Sequence, residues 1–223
     1  MITSGLGAKS KTWLIFTINI NIIALRGENM LKTTAMIMDE LKGYANPTAK
    51  LARMVKAGEY TKIVRGLYET DPAVSGYLLA GSIYGPSYLS FDFALSFYGM
   101  IPEAAYAFTS ATFDKKKKKS YDTPFGNFTY KDVPKEVYPY EIALLSEGEY
   151  SFQIATPEKA LCDKLYSVRP AGSCRALKEL LFEDLRIEEE TLKKLSIEKI
   201  ERMEDKYHST NVELLAKVLK RMR

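Results

Sequence analysis

Apolar side chains recur at helical spacing twice between residues 30 and 70, and then at strand spacing. Ile37, Met38 and Leu41 fall on one side of a helix that Thr33 or Thr34 caps and Gly43 ends. Tyr44 and Ala45 turn the chain. A second helix is predicted from Pro47, where a missing N–H costs nothing, with Asn46 as its cap and Gly58 as a left-handed stop. Leu51, Met54 and Val55 share one side of it; Ala49, Lys50, Arg53 and Lys56 share another. Then the period shortens. Residues 60–64 and 67–68 are β-prone runs around Arg65-Gly66, a pair suited to a tight turn or bulge.

Asp71-Pro72 marks a boundary. Past it, Ser90 is placed to cap a helix with Phe91, Ala94, Leu95 and Tyr98 along one stripe, Gly99 as its stop and Pro102 beyond. This aromatic stripe could stack nucleic-acid bases, but its helical spacing favours burial against a sheet. Residues 105–111 form a predicted strand. Asp114 opens a run of five lysines, Lys115, Lys116, Lys117, Lys118 and Lys119, and Gly126-Asn127 follows between β-prone residues. Residues 136–144 and 149–154 alternate as two strands joined through Glu147-Gly148. Thr156, Pro157 and Glu158 then open a helix with Ala160, Leu161 and Leu165 on its inner stripe. After Pro170-Ala171-Gly172, the spacing of Leu177, Leu180, Leu181 and Leu185 begins a tail of three or four short helices with nearly balanced charge.

Residues 1–29 differ from the rest. Residues 13–25 are apolar but interrupted by Thr17, Asn19 and Asn21, and are too few for a bilayer-crossing helix of about 20. Lys9 and Lys11 precede them as in a signal peptide, yet no small-residue cleavage site follows. Ile18, Ile20 and Ile22 also alternate as in a strand. The favoured expectation is a start at Met30, with residues 1–29 an extension packed poorly against the core. The predicted fold class is α+β: a winged helix–turn–helix over 30–70, then a mixed α/β domain over 71–223 with a helical tail from about 173.

Charge narrows the picture only locally. The net charge of +4 is too small to identify a nucleic-acid binder. Residues 30–70, however, carry seven basic side chains against four acidic ones, so the excess sits where the two helices and ribbon are predicted. Two helices followed by a ribbon is the winged-helix arrangement, whose second helix enters the major groove. Thr48, Ala49, Lys50 and Arg53 are the candidate groove residues; Lys56, Lys62 and Arg65 are the candidate phosphate contacts. The fork of Arg53 suits guanine. Five consecutive lysines cannot all face a core. They either protect a solvated edge or meet an acidic partner, protein or nucleic acid, and both readings stand.

Candidate chemistry is sparse. Cys162 and Cys174 match neither a disulfide framework nor a zinc site, which fits reduced thiols in the cytoplasm. His208 is the single histidine, so histidine triads and histidine-rich metal sites have little to build on. No phosphate-binding glycine loop or nucleophile elbow occurs. Asp92, Glu158 and Asp163 could be assembled into acid/base chemistry, but each is explained by helix capping, dipole or exposure. The expectation is a protein that is not an enzyme, with no catalytic residue, metal or cofactor, and no membrane partner.

Four segments in order, KIVRGLY, PSYLSFDFALSFYGMIP, TPFGNFTYKDVP and IATPEKALCDKLY, resemble the AbiEi family of bacterial antitoxins. The resemblance covers about residues 30–168. It implies the antitoxin of a type IV toxin–antitoxin system, known from abortive infection by phage. The N-terminal winged helix would repress its own promoter, and the C-terminal domain would counteract a nucleotidyltransferase-type toxin without a stable complex. Lys50, Arg53 and Lys56 match the family's basic helix, and Lys62 and Arg65 its wing. One arginine precedes the wing glycine where a pair is usual. The alternatives are a stand-alone winged-helix regulator and a protein-interaction module that does not bind DNA.

Overall fold

The computed structural model describes residues 31–222, so the expectations for residues 1–29 lie outside the described part. A two-residue strand, β1 (Lys32–Thr33), leads into helix α1 (Thr34–Glu40), which starts because Thr33 Oγ1 accepts from the Met36 amide. Gly43 does not end this helix in a left-handed conformation. The Leu41 amide bonds to the Ile37 carbonyl, and the Lys42 and Tyr44 amides bond to Asp39 and Leu41, so ordinary turns close it. Helix α2 (Pro47–Lys56) begins on Asn46, whose Oδ1 accepts from the Ala49 amide at 3.0 Å, and is followed by Gly58 at φ +79°.

Strands β2 (Thr61–Val64) and β3 (Leu67–Glu69) form an antiparallel hairpin with Arg65-Gly66 at its tip. Lys62 lies opposite Tyr68 and Val64 opposite Leu67, so a bulge at Ile63 absorbs the extra residue. β1 pairs with the other edge of β3. Both faces of the hairpin are covered. Tyr60 and Tyr68 pack with Ile37, Leu41 and Leu51 in a small core beneath the two helices. Ile63 and Leu67 belong instead to the large core of the rest of the chain.

The second sheet contains β4 (Tyr88–Leu89), β5 (Ala107–Thr112), β6 (Lys119–Thr123), β7 (Gly126–Asp132), β8 (Ile142–Glu147) and β9 (Tyr150–Ala155), in the order β6-β7-β5-β4-β9-β8. It is mixed: β5–β7 and β4–β9 are parallel pairs, and the others are antiparallel. A 3₁₀ turn (Gly76–Leu79) and helix α3 (Ala80–Ile83) precede it. Helix α4 (Phe91–Phe97) packs on β5 and on helix α5 (Pro157–Ser167). The described residues therefore form an α+β fold with two sheets.

Two further sequence expectations in this sheet region differ from the structure. The predicted strand over 136–144 is mostly turn. The Val137 and Tyr138 amides both bond to the Pro134 carbonyl, and the ladder opens only at Ile142, beyond Pro139. Buried Val137 and Tyr138 produced an apolar pattern without a strand. Ser90 occupies the cap position of α4 but makes no cap bond with its side chain. Thr109 on β5 supplies that bond, accepting from the Phe93 amide at 3.0 Å, and the Ser90 hydroxyl is spent elsewhere.

The tail folds as α6 (Cys174–Glu179), a π-helical turn (Leu180–Asp184), α7 (Glu189–Lys193), α8 (Ile197–Tyr207) and α9 (Thr210–Met222). It is amphipathic, and its apolar stripe faces inward. Ile200, Met203, Tyr207, Val212, Leu215 and Val218 are all fully buried, and α9 packs against α5, α6 and α8.

Candidate nucleic-acid interface

Placement along α2 follows from its winding of about 100° per residue. Leu51 is buried and Met54 and Val55 are half-buried, which turns Thr48, Ala49, Ala52, Arg53 and Lys56 to solvent. The cap at Asn46 and the stop at Gly58 set where this face begins and ends. Arg53 Nε reaches the Ala49 carbonyl at 3.4 Å, which lays the guanidinium along the exposed face. Lys50 stands at its margin, half-buried, with its ammonium 5.5 Å from the centre of the Tyr44 ring. Lys62 on β2 and Arg65 at the hairpin tip are both exposed.

The electrostatics of this unit favour an anion. Among the described residues none of Lys50, Arg53, Lys56, Lys62 and Arg65 pairs with a carboxylate. Three of the four acidic side chains nearby are engaged: Asp39 with Lys42 at 3.3 Å, Glu40 with Lys32 at 2.9 Å, and buried Glu69 with the Thr70 and Asp71 amides. Among the described residues, the cations of α2 and the hairpin have no carboxylate partner.

No family model and no curated protein matches this chain.

A second polar constellation went unseen in the sequence. Asp163 is not at an exposed position; it is fully buried. Its Oδ2 accepts from the Tyr88 hydroxyl at 3.0 Å and the Ser90 hydroxyl at 2.6 Å, and its Oδ1 from the Tyr207 hydroxyl at 2.5 Å. Lys159, one helical turn earlier and also fully buried, has its ammonium 3.3 Å from Asp163 and donates to the Val137 carbonyl at 2.9 Å. The rings of Tyr207 and Tyr88 flank that ammonium at 4.8 and 5.6 Å. Burial pushes both tyrosine hydroxyls well above their ordinary range, and the Asp163 charge adds to it. Burial also holds Lys159 below the usual lysine range, with Asp163 opposing. Every donor here has an acceptor and every residue is sealed from water. The arrangement pins β4, the start of α4, α5 and α8 together rather than offering groups to a substrate.

Asp92 and Glu158 each sit in the first turn of a helix. Asp92, in the first turn of α4, pairs with Lys164 at 2.5 Å. Glu158, in the first turn of α5, accepts from the Ser196 amide at the head of α8. Both cysteines are unpaired, and no cluster of three or more potential metal ligands occurs among the described residues. His208 is exposed and ends α8 in a left-handed conformation.

The lysine run splits by structure. Lys115 turns away, donating to the Gly85 carbonyl over the Tyr84 ring, and Lys119 opens edge strand β6. Lys116, Lys117 and Lys118 come together with Lys131 of β7 around an open cleft of about 330 Å³. None of the α2 cations lines this cleft.

Proposed function

We propose that residues 31–70 are a winged helix–turn–helix that binds double-stranded DNA, and that the chain is an antitoxin-type autorepressor of its own promoter. Supporting this reading is the cationic face of α2 and the hairpin, where no carboxylate among the described residues neutralises Arg53, Lys56, Lys62 or Arg65. In this reading Thr48, Ala49 and Arg53 approach base edges, with Lys50 beside them. Lys56 from the helix and Lys62 and Arg65 from the wing hold phosphates. The order of AbiEi-like segments supports a partner of nucleotidyltransferase type, counteracted by the domain behind the wing. No helix among the described residues is long and apolar enough to cross a membrane, in keeping with a cytoplasmic DNA partner.

Footprinting the full chain on the DNA upstream of its own gene tests the DNA half. Protection of a repeated sequence, lost in Arg53→Ala, is the expected outcome; no protected sequence defeats it. Co-expression with the adjacent gene tests the antitoxin half. Relief of toxicity by both the wild type and Arg53→Ala would separate neutralisation from repression, whereas no toxicity to relieve would leave an orphan regulator.

A further inference from the structure

The three lysines that precede β6 are placed next to a fourth by the register of the sheet. Lys119 is the last residue of β6 paired with β7, opposite Tyr130. Lys118 and Lys131 therefore follow directly on two antiparallel strands, where like charges oppose folding. The segment is held in place. Lys116 adopts φ +56°, and its amide donates to Asp132 Oδ2 at 2.6 Å while the Thr112 hydroxyl holds Oδ1 at 2.6 Å. The carboxylate of Asp132 is thus occupied by loop geometry. Among the described residues it is the only acidic group lining the cleft, against four ammonium groups.

Lys131 is half-buried, with its ammonium 5.4 Å from the centre of the Phe91 ring, and no carboxylate pairs with it among the described residues. Burial lowers its pKa; Asp92 opposes this, and Lys164 and Lys118 add to the lowering. Lys131 lies on β7, between β6 and β5, so protection of an exposed edge does not account for it. Tyr166, at the end of α5, also lines the cleft; it packs one way towards the Tyr207 ring and keeps 38% of its surface exposed. The carbonyl end of α5 supplies only about half an elementary negative charge. A volume of about 330 Å³ lies at the lower end of ligand sites, which run from about 300 to 1,000 Å³.

We propose that the cleft formed by Lys116, Lys117, Lys118 and Lys131, with Tyr166 on its rim, binds the phosphate of a nucleotide, whose base stacks on Tyr166. The phosphate comes either from a free nucleoside triphosphate or from a single nucleic-acid strand. The proposal goes beyond the winged-helix reading and uses none of its residues. Lysines attract the phosphate as point charges, and an exposed ring accepts any base.

The test measures binding of ATP by calorimetry and of a short labelled oligothymidylate by anisotropy, each with the full chain. Saturable binding of ATP alone assigns a free nucleotide, and tighter binding of the oligonucleotide assigns a strand. Either affinity should fall about tenfold or more in Lys118→Gln/Lys131→Gln. Tyr166→Ala should weaken both nucleotide probes but not inorganic triphosphate, and Tyr166→Phe should restore them. Lys118→Gln/Lys131→Gln should leave binding of the promoter duplex unchanged, so failure of the wing and failure of the cleft are told apart. Absence of binding by the wild type overturns the proposal. So does binding that survives the double lysine change, or polyglutamate binding as tightly as the nucleotide probes.

Discussion

Asp163 concentrates more buried polar interaction than any position proposed to touch DNA. Its two oxygens satisfy three hydroxyls and face the Lys159 ammonium, all sealed from water. Removing one member of such a set leaves the others desolvated and unpaired. Asp163→Ala is expected to cost about 3–5 kcal/mol of unfolding free energy in a denaturant titration. Adding Lys159→Met to that variant should recover part of the loss, since the orphaned ammonium is then gone. A loss below about 1 kcal/mol for Asp163→Ala would contradict the network. Nothing local announced this site. A lysine and an aspartate four residues apart on a helix have the spacing of an exposed ion pair. The hydroxyls that bury Asp163 come from 75, 73 and 44 residues away.

Elements whose causes are local were legible, and elements whose causes are distant were not. Helix α2 follows from Asn46, Pro47 and Gly58, each acting within one turn, and the hairpin from Arg65-Gly66 between short apolar runs. By contrast, α4 takes its cap bond from Thr109 on another strand, which freed Ser90 for the core and hid its role. The apolar pattern over 136–144 belongs to a turn held by Pro134. The hairpin tip carries a prediction at this scale. Gly66 sits at φ +88°, and a Cβ there would meet nothing closer than Thr34 Oγ1 at 3.9 Å. Gly66→Ala therefore tests backbone strain without a clash, and about 1–2 kcal/mol of destabilisation is expected by denaturant titration. An unchanged midpoint would show that the tip relaxes freely.

At the scale of the molecule, the two-helix unit and the larger domain share the hairpin, with Tyr60 and Tyr68 in one core and Ile63 and Leu67 in the other. The large core buries tyrosine hydroxyls, and that sets a response to pH. Burial raises Tyr88, Tyr207, Tyr130 and Tyr138 above the ordinary tyrosine value of 10.0. The unfolded chain therefore releases these protons first. Their contribution is present below about pH 10 and is lost as pH rises towards the folded values. Lys159 acts in the opposite sense: its lowered folded value adds stability as pH rises, levelling off near 10.5. Melting temperature should fall steeply between about pH 10 and 11, and a flat profile would contradict the burial of these rings.

The central claim, that α2 and the wing bind duplex DNA through cations left unpaired by the fold, predicts a particular dependence on salt. Each phosphate neutralised releases counterions, so affinity falls with the logarithm of salt at about 0.9 per contact. Titrating the promoter duplex at several salt concentrations, with the wild type and Lys62→Ala/Arg65→Ala, measures this directly. The variant should bind more weakly, with a slope shallower by about two. An unchanged affinity and slope would contradict the assignment of the wing.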